Sequence, residues 1–229
     1  MKFEAFNKIP RLSREMVITE KIDGTNAQIL IIKTDDVYVE SANSTKEVDE
    51  FFYNYCLYQN KGICVFAGSR KRWLDTSSKG DNFGFAKWVQ RNAEELLKLG
   101  EGRHFGEWYG NGIQRGYGLE EKRFALFNVG KWASSKVLIG NVLCERNELK
   151  EDDKRIIVPQ CCEVVPILYE GLFDTQEIKK QVKILYFSGS KAVPGFMKAE
   201  GVVAYHKASR QLFKRQLRMM KSQKENNGV

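Results

Sequence analysis

The stretch that decides the fold of this chain is Glu20–Asn26, which reads EKIDGTN. It places a lysine, a carboxylate and a glycine turn directly after the short apolar run Val17–Thr19. Lys21 is a candidate nucleophile, but at pH 7 an ordinary lysine is uncharged in roughly one molecule in 2500, which costs about 4–5 kcal/mol for attack as a free amine. Nearby cations, a metal ion and partial burial all lower that cost. We therefore expect the rest of the sequence to supply them.

Composition places the chain among ordinary folded proteins. Its 229 residues are 42% hydrophobic, which suits one sizeable core or one domain with a small addition. No apolar run approaches the roughly 20 residues needed to cross a bilayer, and the first residues lack the apolar core of a signal peptide. We expect a cytoplasmic protein with no membrane partner. The five cysteines include no Cys-x-x-Cys pair, which favours reduced thiols over structural zinc or disulfides.

The formal net charge of +8 predicts a polyanionic partner, with a solvated basic surface as the alternative. Residues 207–224 contain seven lysines and arginines and no acidic residue. Residues 70–73 read RKRW, in which an indole stands beside three cations. This distribution favours nucleic acid as the partner.

Hydrophobic periodicity predicts strands and helices that are mixed without regular alternation. Strands are expected at residues 17–19, 27–33, 37–39, 63–68, 105–108, 124–129, 164–168, 201–205 and 212–213. One helix is expected from a capping box at residues 44–47 through Tyr58 to Gly62, a second from residue 81 or 82 to Gly100, and a third from Asp174. The mixture predicts an α+β protein with antiparallel sheets flanked by helices.

Lys-x-Asp-Gly alone is a weak signal, because at average residue usage it arises by chance in roughly one chain in twenty of this size. Three later features strengthen it. They are Gly106-Glu107 at the end of a predicted strand, FALF at residues 124–127, and EGVV at residues 200–203 followed by Lys214.

With these motifs in this order, the chain resembles the covalent nucleotidyltransferases, which comprise ATP-dependent DNA ligases, RNA ligases and capping enzymes. Residues 21–24 look like motif I of that superfamily, 69–70 like motif Ia, 106–107 like III, 124–127 like IIIa, 200–203 like IV and 213–214 like V. Asn26 and the run GEWYGNGIQ at 106–114 look most like the phage-type RNA ligase 2 branch. The resemblance implies a ligase-type adenylyltransferase (nucleotidyltransferase) domain at residues 1–217, followed by a basic, flexible tail at 218–229.

Phosphoryl transfer depends on positioning and charge neutralisation, and the resemblance implies matching roles. Lys21 would attack the α-phosphate of ATP and hold AMP as a phosphoramidate. Lys214 and Arg70 would neutralise phosphate oxygens. Glu200, with Asp23, would bind Mg²⁺ or Mn²⁺ directly or through water, because a hard cation prefers carboxylate oxygens.

The same reasoning assigns the nucleoside. Glu107 would accept hydrogen bonds from the ribose hydroxyls, and Phe127 would stack on the base. Glu20 with nearby backbone would read the purine edge, and the resemblance adds Asn26 to the nucleotide-binding residues.

Some alternatives stay open at this point. Asp23 could form an Asx turn with Gly24 instead of binding metal, and Lys214 could be one member of the basic tail. One of Phe124 and Phe127 must be core, and the choice of Phe127 for stacking rests on its spacing from Glu107 in the resembling family. The glycine-rich residues 110–118 could be a mobile lid or a set of tight turns.

Two departures from the family pattern affect the expected function. Motif V commonly carries two lysines separated by one residue, whereas Lys214 is followed by Arg215 and Gln216. About fifteen residues follow Lys214, so we expect no C-terminal OB-fold, and either a stand-alone domain or a clamp supplied by a partner chain.

The expected function is an ATP-dependent RNA ligase acting on RNA ends or a nicked duplex, possibly of DNA. The alternatives are a compact DNA ligase, a GTP-using capping guanylyltransferase, and a nucleic-acid-binding module that has lost its chemistry. The intact Lys21, Glu107 and Glu200 argue against the last of these.

Overall fold

A computed structural model describes residues 9–33, 45–132, 136–139, 142–145 and 158–217. The predicted strand at 37–39 and the predicted tail at 218–229 lie outside these residues. The chain divides into two compact units, the first formed by Met1–Ile22 with Val165–Val229 and the second by Asp23–Val164.

Strands dominate the described residues, and helices are fewer. The strands are β1 Glu15–Lys21, β2 Thr25–Lys33, β3 Cys56–Asn60, β4 Ile63–Ser69, β5 Trp73–Leu74, β6 Gly102–Gly110, β7 Lys122–Leu126, β8 Lys136–Ile139, β9 Val142–Glu145, β10 Cys162–Val164, β11 Ile167–Leu172, β12 Gly201–His206 and β13 Gln211–Gln216. The helices are α1 Thr45–Tyr55, α2 Phe85–Arg91, α3 Ala93–Leu96, α4 Val129–Trp132 and α5 Thr175–Ser188, with a 3-10 turn at Leu97–Leu99. The predicted α+β class is confirmed. Across the described ranges, no helix has the length and apolar character that crossing a membrane would need.

The first unit is an antiparallel sheet in the order β11-β1-β12-β13, with helix α5 packed on one face. Asp174 begins α5 as predicted, because its side chain accepts a hydrogen bond from Gln176 N at 2.7 Å. The buried core between sheet and helix comprises Met16, Ile18, Val182, Leu185, Ala199, Val202 and Ala204. Side chains alternate along a strand, so Lys21 lies on the face opposite to Ile18 and away from α5.

The second unit contains a larger sheet in the order β10-β7-β6-β2-β4-β3, with β5 also paired to β4. Neighbouring strands are antiparallel except for β10 and β7. Ile29 and Ile31 of β2 join the core that the α2 residues Phe85 and Val89 cover. Alternation along β2 therefore turns Asn26 toward the opposite face.

The first predicted helix is wrong at its end. Helix α1 stops at Tyr55, and the following residues form β3, which pairs with β4. Lys61 and Gly62 both have positive φ, at 48° and 76°, as the two central residues of a tight hairpin turn require. Gly62 therefore closes a hairpin and does not end a helix.

The second predicted helix is interrupted at Asn92, which separates α2 from α3. The Asn92 side chain donates to Trp88 O at 2.8 Å, a local bond of the kind that competes with helix geometry. Gly100 follows the last 3-10 turn with φ 78°, so the predicted stop is confirmed.

Two strand predictions also need correction. The predicted strand at 164–168 is two strands, because Pro166 lies between β10 and β11 and has no N–H for a sheet ladder. Strand β7 ends at Leu126, so Phe127 follows the strand and does not lie within it.

Candidate active site

Lys21 and Glu200 meet in the first unit although they are 179 residues apart in the chain. Lys21 ends β1 in register with Gly201 of β12, and Glu200 immediately precedes that strand. Lys21 Nζ lies 2.6 Å from Glu200 Oε2, with the lysine side chain 25% exposed and the glutamate side chain 6% exposed. A nearly buried carboxylate thus holds an amine that solvent still reaches.

Gln216 holds the other oxygen of the same carboxylate. Its Nε2 donates to Glu200 Oε1 at 2.6 Å, so each carboxylate oxygen accepts a hydrogen bond. The ammonium form of Lys21 has no lone pair for attack, so a reaction at Nζ requires that its proton leave and that the contact with Glu200 be replaced. The arrangement positions the amine and restrains it.

Lys214 lies within β13, opposite Val203 of β12. Gln216, two residues further on, lies opposite Gly201. Residues two apart in a strand share a face, so Lys214 lies on the face of the sheet that carries Gln216 and Lys21. The structure thus brings this predicted cation to the lysine's side of the sheet.

Glu20 lies on the other face of β1 and is almost completely buried. Its carboxylate accepts hydrogen bonds from Ser190 Oγ at 2.6 Å, Lys191 N at 2.7 Å and Ala192 N at 3.0 Å. These bonds hold the loop between α5 and β12 against Glu20, the residue that directly precedes Lys21.

Asn26, Arg70 and Glu107 come together in the second unit. Glu107 of β6 is in register with Asn26 of β2 and accepts from Asn26 Nδ2 at 3.0 Å and from Gly24 N at 3.1 Å. Asn26 Oδ1 in turn accepts from Arg70 Nε at 2.8 Å. Three of the predicted nucleotide-binding residues therefore form one connected polar group.

Asp23 belongs to the second unit and is held twice by the glycine-rich stretch. Its Oδ2 accepts from Arg115 Nε at 2.6 Å, and its backbone N donates to Tyr117 Oη at 2.8 Å. An ion pair with Arg115 therefore occupies the carboxylate that the sequence assigns to a metal ion or to an Asx turn.

Residues 110–118 form tight turns, which decides between the two readings left open by the sequence. Successive turn hydrogen bonds join Ile113 N to Gly110 O at 3.0 Å and Gly116 N to Ile113 O at 2.9 Å. Ile113 and Tyr117 are buried, and a stretch anchored by buried side chains is a poor candidate for a lid.

Tyr109 packs against the glycine-rich residues 110–118. Its ring meets the Tyr117 ring edge to face, with 5.4 Å between centroids, and its hydroxyl donates to Glu163 Oε2 at 2.5 Å. Burial, reinforced by the hydrogen bond to Glu163, raises the pKa of Tyr109 far above its ordinary value. Tyr109 therefore remains a neutral donor that fixes the ring on which Tyr117 rests.

Phe124 and Phe127 have different environments. Phe124 is fully buried among the rings of Phe85 and Trp88, whereas Phe127 is 39% exposed. Phe124 is therefore core, and of the two rings Phe127 is the one that a ligand can reach.

Sequence reasoning missed Ser190, Gln216, Arg115 and Tyr117. Gln216 occupies the position where the family pattern has a second lysine, and that departure was the available signal for it. Tyr117 is an aromatic residue inside a glycine-rich stretch, which was a weak signal for an anchor. Ser190 and Arg115 carried no signal that a single sequence reveals.

No group of three or more histidine, cysteine, aspartate or glutamate side chains suited to a metal ion occurs among the residues that the structure describes. The predicted metal ligands Glu200 and Asp23 each contact a cation of the protein instead, Lys21 and Arg115 respectively.

Comparison with known proteins points to one family. A family model described as RNA ligase matches residues 14–222. A comparison with curated proteins found no match.

The similar solved structures include several of an RNA ligase from Naegleria gruberi. A mutant with ATP and Mn is 18% identical over 93% of this chain and 52% of that chain, with a TM-score of 0.49. A second mutant with ATP and Mn is 16% identical over 94% and 52%, with a TM-score of 0.47. The same ligase with PPi is 18% identical over 94% and 53%, with a TM-score of 0.46. This chain spans about half the length of those proteins.

We predict that Gly24→Ala destabilises the second unit. An added Cβ would overlap Trp108 O and lie 2.8 Å from Tyr109 Cβ, and overpacking of this kind costs about 1–3 kcal/mol. Urea unfolding followed by tryptophan fluorescence measures this, since all four tryptophans lie at positions 73–132. Gly130→Ala is the matched control, because its Cβ would meet nothing closer than 3.6 Å. Equal unfolding midpoints for the two variants would contradict the prediction.

Proposed function

Because the chain belongs to the RNA ligase family, we propose that it is an ATP-dependent ligase that joins RNA ends through a covalent lysyl-AMP intermediate. The observation that carries this proposal is the 2.6 Å contact between Lys21 Nζ and Glu200 Oε2. It gives the motif I lysine a carboxylate partner and an orientation, while the lysine side chain keeps access to solvent.

The proposed reaction has three steps. Lys21 Nζ loses a proton and attacks the α-phosphorus of ATP, so that an N–P bond forms and pyrophosphate leaves. The AMP then passes from Lys21 to the 5′-phosphate of a nucleic acid end, which regenerates the amine. Finally, a 3′-hydroxyl attacks that activated phosphate, the phosphodiester forms and AMP leaves. Such transfers need positioned charge more than further covalent chemistry.

In the first unit, Glu200 and Lys214 would act on the phosphates. Lys214 would neutralise phosphate oxygens from the face of the sheet that carries Lys21. Glu200 offers oxygen donors of the kind Mg²⁺ and Mn²⁺ prefer, and an ion held by one protein carboxylate with water and phosphate oxygens is a usual arrangement for magnesium. A bound ion would neutralise charge that develops on the phosphates.

Asp23 fits the predicted metal role less well than Glu200. Its carboxylate is paired with Arg115 at 2.6 Å, so an ion would have to displace a guanidinium. We propose that Asp23 mainly fixes the backbone that follows Lys21, through Arg115 and Tyr117.

In the second unit, Glu107, Asn26 and Arg70 would bind the ribose and phosphate part of AMP. Glu107 is the acceptor for ribose hydroxyls. The Arg70 guanidinium, which Asn26 orients, is the cation for the phosphate. The exposed ring of Phe127 would stack on adenine. The hydrogen-bond chain of the second unit and the exposure of Phe127 support these proposed roles.

Glu20 would contribute through its surroundings. Its carboxylate already accepts from three donors of residues 190–192, so reading of the purine edge would fall to backbone near Glu20. The side chain itself would hold the loop that leads to Glu200.

The test of the proposal is covalent labelling. Incubation with Mg²⁺ and α-labelled ATP should place acid-stable label on the denatured chain, and Lys21→Ala should remove it, because Nζ of Lys21 is the proposed point of attachment. Lys179→Ala is the matched control, since Lys179 is an exposed lysine of α5 in the same unit. Label from GTP in place of ATP would favour a capping activity. Absence of label with both nucleotides would contradict the ligase proposal and favour a nucleic-acid-binding module without chemistry.

Glu200→Ala should abolish labelling while the protein still folds. The substitution removes the partner of Lys21 and the proposed ion ligand, and we expect a loss of at least about 100-fold in the labelling rate, in line with the removal of a charge-stabilising group. Circular dichroism checks the fold, and Glu170→Ala, at an exposed glutamate of β11, is the control. Normal labelling of Glu200→Ala would count against its role.

Substrate class is tested on nicked duplexes that differ only in the strand that carries the 3′-hydroxyl. We expect faster sealing when that strand is RNA, since the family match is to RNA ligases. The nicked duplexes carry a pre-adenylated 5′-end, so that adenylation of Lys21 does not limit the sealing rate. Sealing rates are compared by gel electrophoresis. Equal rates on RNA and DNA would remove the preference.

A further inference from the structure

One face of the larger sheet of the second unit is covered by α2. On the other face α1 packs against Phe66 of β4 through Phe51, and the part formed by β6 carries polar and aromatic side chains. Trp108 of β6 points into the core under α2. By alternation, Arg103, Phe105 and Glu107 point to the other face. Glu107 belongs to the proposed nucleotide site, but Arg103 and Phe105 have no part in the adenylation chemistry.

Two exposed phenylalanines are neighbours here. Phe127 N donates to Phe105 O at 2.9 Å, which places Phe127, just after the end of β7, opposite Phe105 within β6. Phe105 is 51% exposed and Phe127 is 39% exposed. A single exposed phenylalanine needs no explanation. Phe127 is the proposed stacking partner of adenine, and a single nucleotide has only one base. The neighbouring exposed ring of Phe105 is therefore available for another base.

A fixed cation lies next to Phe105. Gln28 of β2 is in register with Phe105, and its Oε1 accepts from Arg103 Nη1 at 2.9 Å while its Nε2 donates to Ser69 O at 2.9 Å. The Arg103 guanidinium also lies 5.3 Å from the Trp73 ring centroid. Gln28 and Trp73 therefore hold an exposed guanidinium in one orientation on the same face as the Phe105 ring.

We propose that Phe105 and Arg103 form a contact surface for a single-stranded segment of the RNA substrate, outside the nucleotide site. Phe105 stacks on a base, Arg103 contacts the phosphate backbone, and Gln28 is a positioning residue for Arg103. Single strands are bound in this way, by exposed aromatic rings interleaved with cations. This inference rests on the proposed function for the identity of the nucleic acid.

The charge pattern favours RNA over a protein partner. The turn after β4 adds Arg70 and Lys71, both exposed, and the carboxylate next to Phe105 along β6 belongs to Glu107, which is buried. A protein-docking patch is expected to be apolar at its centre with charges at its rim, whereas here a guanidinium and an aromatic ring are neighbours.

The test measures binding of an RNA that cannot react. A 3′-fluorescein-labelled RNA oligomer of about 12 nucleotides with a 5′-hydroxyl is titrated with the protein, and anisotropy is followed at several salt concentrations. Phe105→Ala should weaken binding roughly 5- to 150-fold, the range for loss of one stacked base. Phe105→Tyr should keep affinity near that of the unaltered protein. Arg103→Gln should lower the slope of log affinity against log salt by about one phosphate contact.

Phe187→Ala is the matched control, because Phe187 is a phenylalanine of α5 that is 73% exposed in the first unit. Unchanged RNA affinity of Phe105→Ala, or an equal loss in Phe187→Ala, would overturn the inference. Labelling of Lys21 with ATP is measured in parallel and should stay within about twofold in Phe105→Ala. A selective loss of labelling would place Phe105 in the nucleotide site instead.

The two proposals fail separately. If the unaltered protein takes no label, the ligase proposal fails, but anisotropy still decides whether Phe105 and Arg103 bind RNA. If Phe105→Ala alters the oligomeric state in size-exclusion chromatography and leaves RNA affinity unchanged, the face is a protein interface and the RNA inference is wrong.

Discussion

The pairing of β1 with β12 is the constraint on which the candidate chemistry depends. It sets Lys21 opposite Gly201 and so brings Nζ to 2.6 Å from a carboxylate 179 residues away. A slip of one residue in this register would turn Lys21 toward the face that α5 covers, because side-chain direction alternates along a strand. Gly201 maintains the close pairing on its other side, since its φ is +154° and a Cβ there would overlap Arg215 O.

In the second unit, too, a carboxylate from a distant strand holds part of the EKIDGTN segment. Glu107 accepts from Gly24 N and from Asn26 Nδ2, and it is buried. Burial of a carboxylate is tolerated when donors satisfy it, and loss of the carboxylate would leave those donors unpaired. Glu107 thus ties the end of the EKIDGTN segment to β6, and any ligand role it has is added to this structural one.

The sequence was sufficient for the fold class and for most elements, because hydrophobic periodicity and turn residues are local properties of a chain. The resemblance assigned Lys21 and Glu200 to one site but put Glu200 on a metal ion, whereas the structure pairs the two side chains directly. The helix end predicted at Gly62 was wrong because a glycine with positive φ is equally suited to the end of a helix and to a hairpin turn. Pro166 could have divided the predicted strand, since its missing N–H is visible in the sequence. The bond from Gln216 to Glu200 could not be predicted, because it depends on the register of β13 against β12.

Consecutive residues around the lysine have partners of different kinds, and this explains how one amine is held in place. Glu20 binds the loop at residues 190–192, Lys21 binds Glu200, Asp23 binds Arg115, and Gly24 N binds Glu107. Within the first unit, the Glu20 contacts fix the backbone next to Lys21, and the ion pair with Glu200 orients the resting amine. In the proposed reaction the Glu200 contact is replaced, but the backbone that carries the nucleophile is already ordered by folding and not by ATP binding, which is the way a preorganised site lowers a barrier.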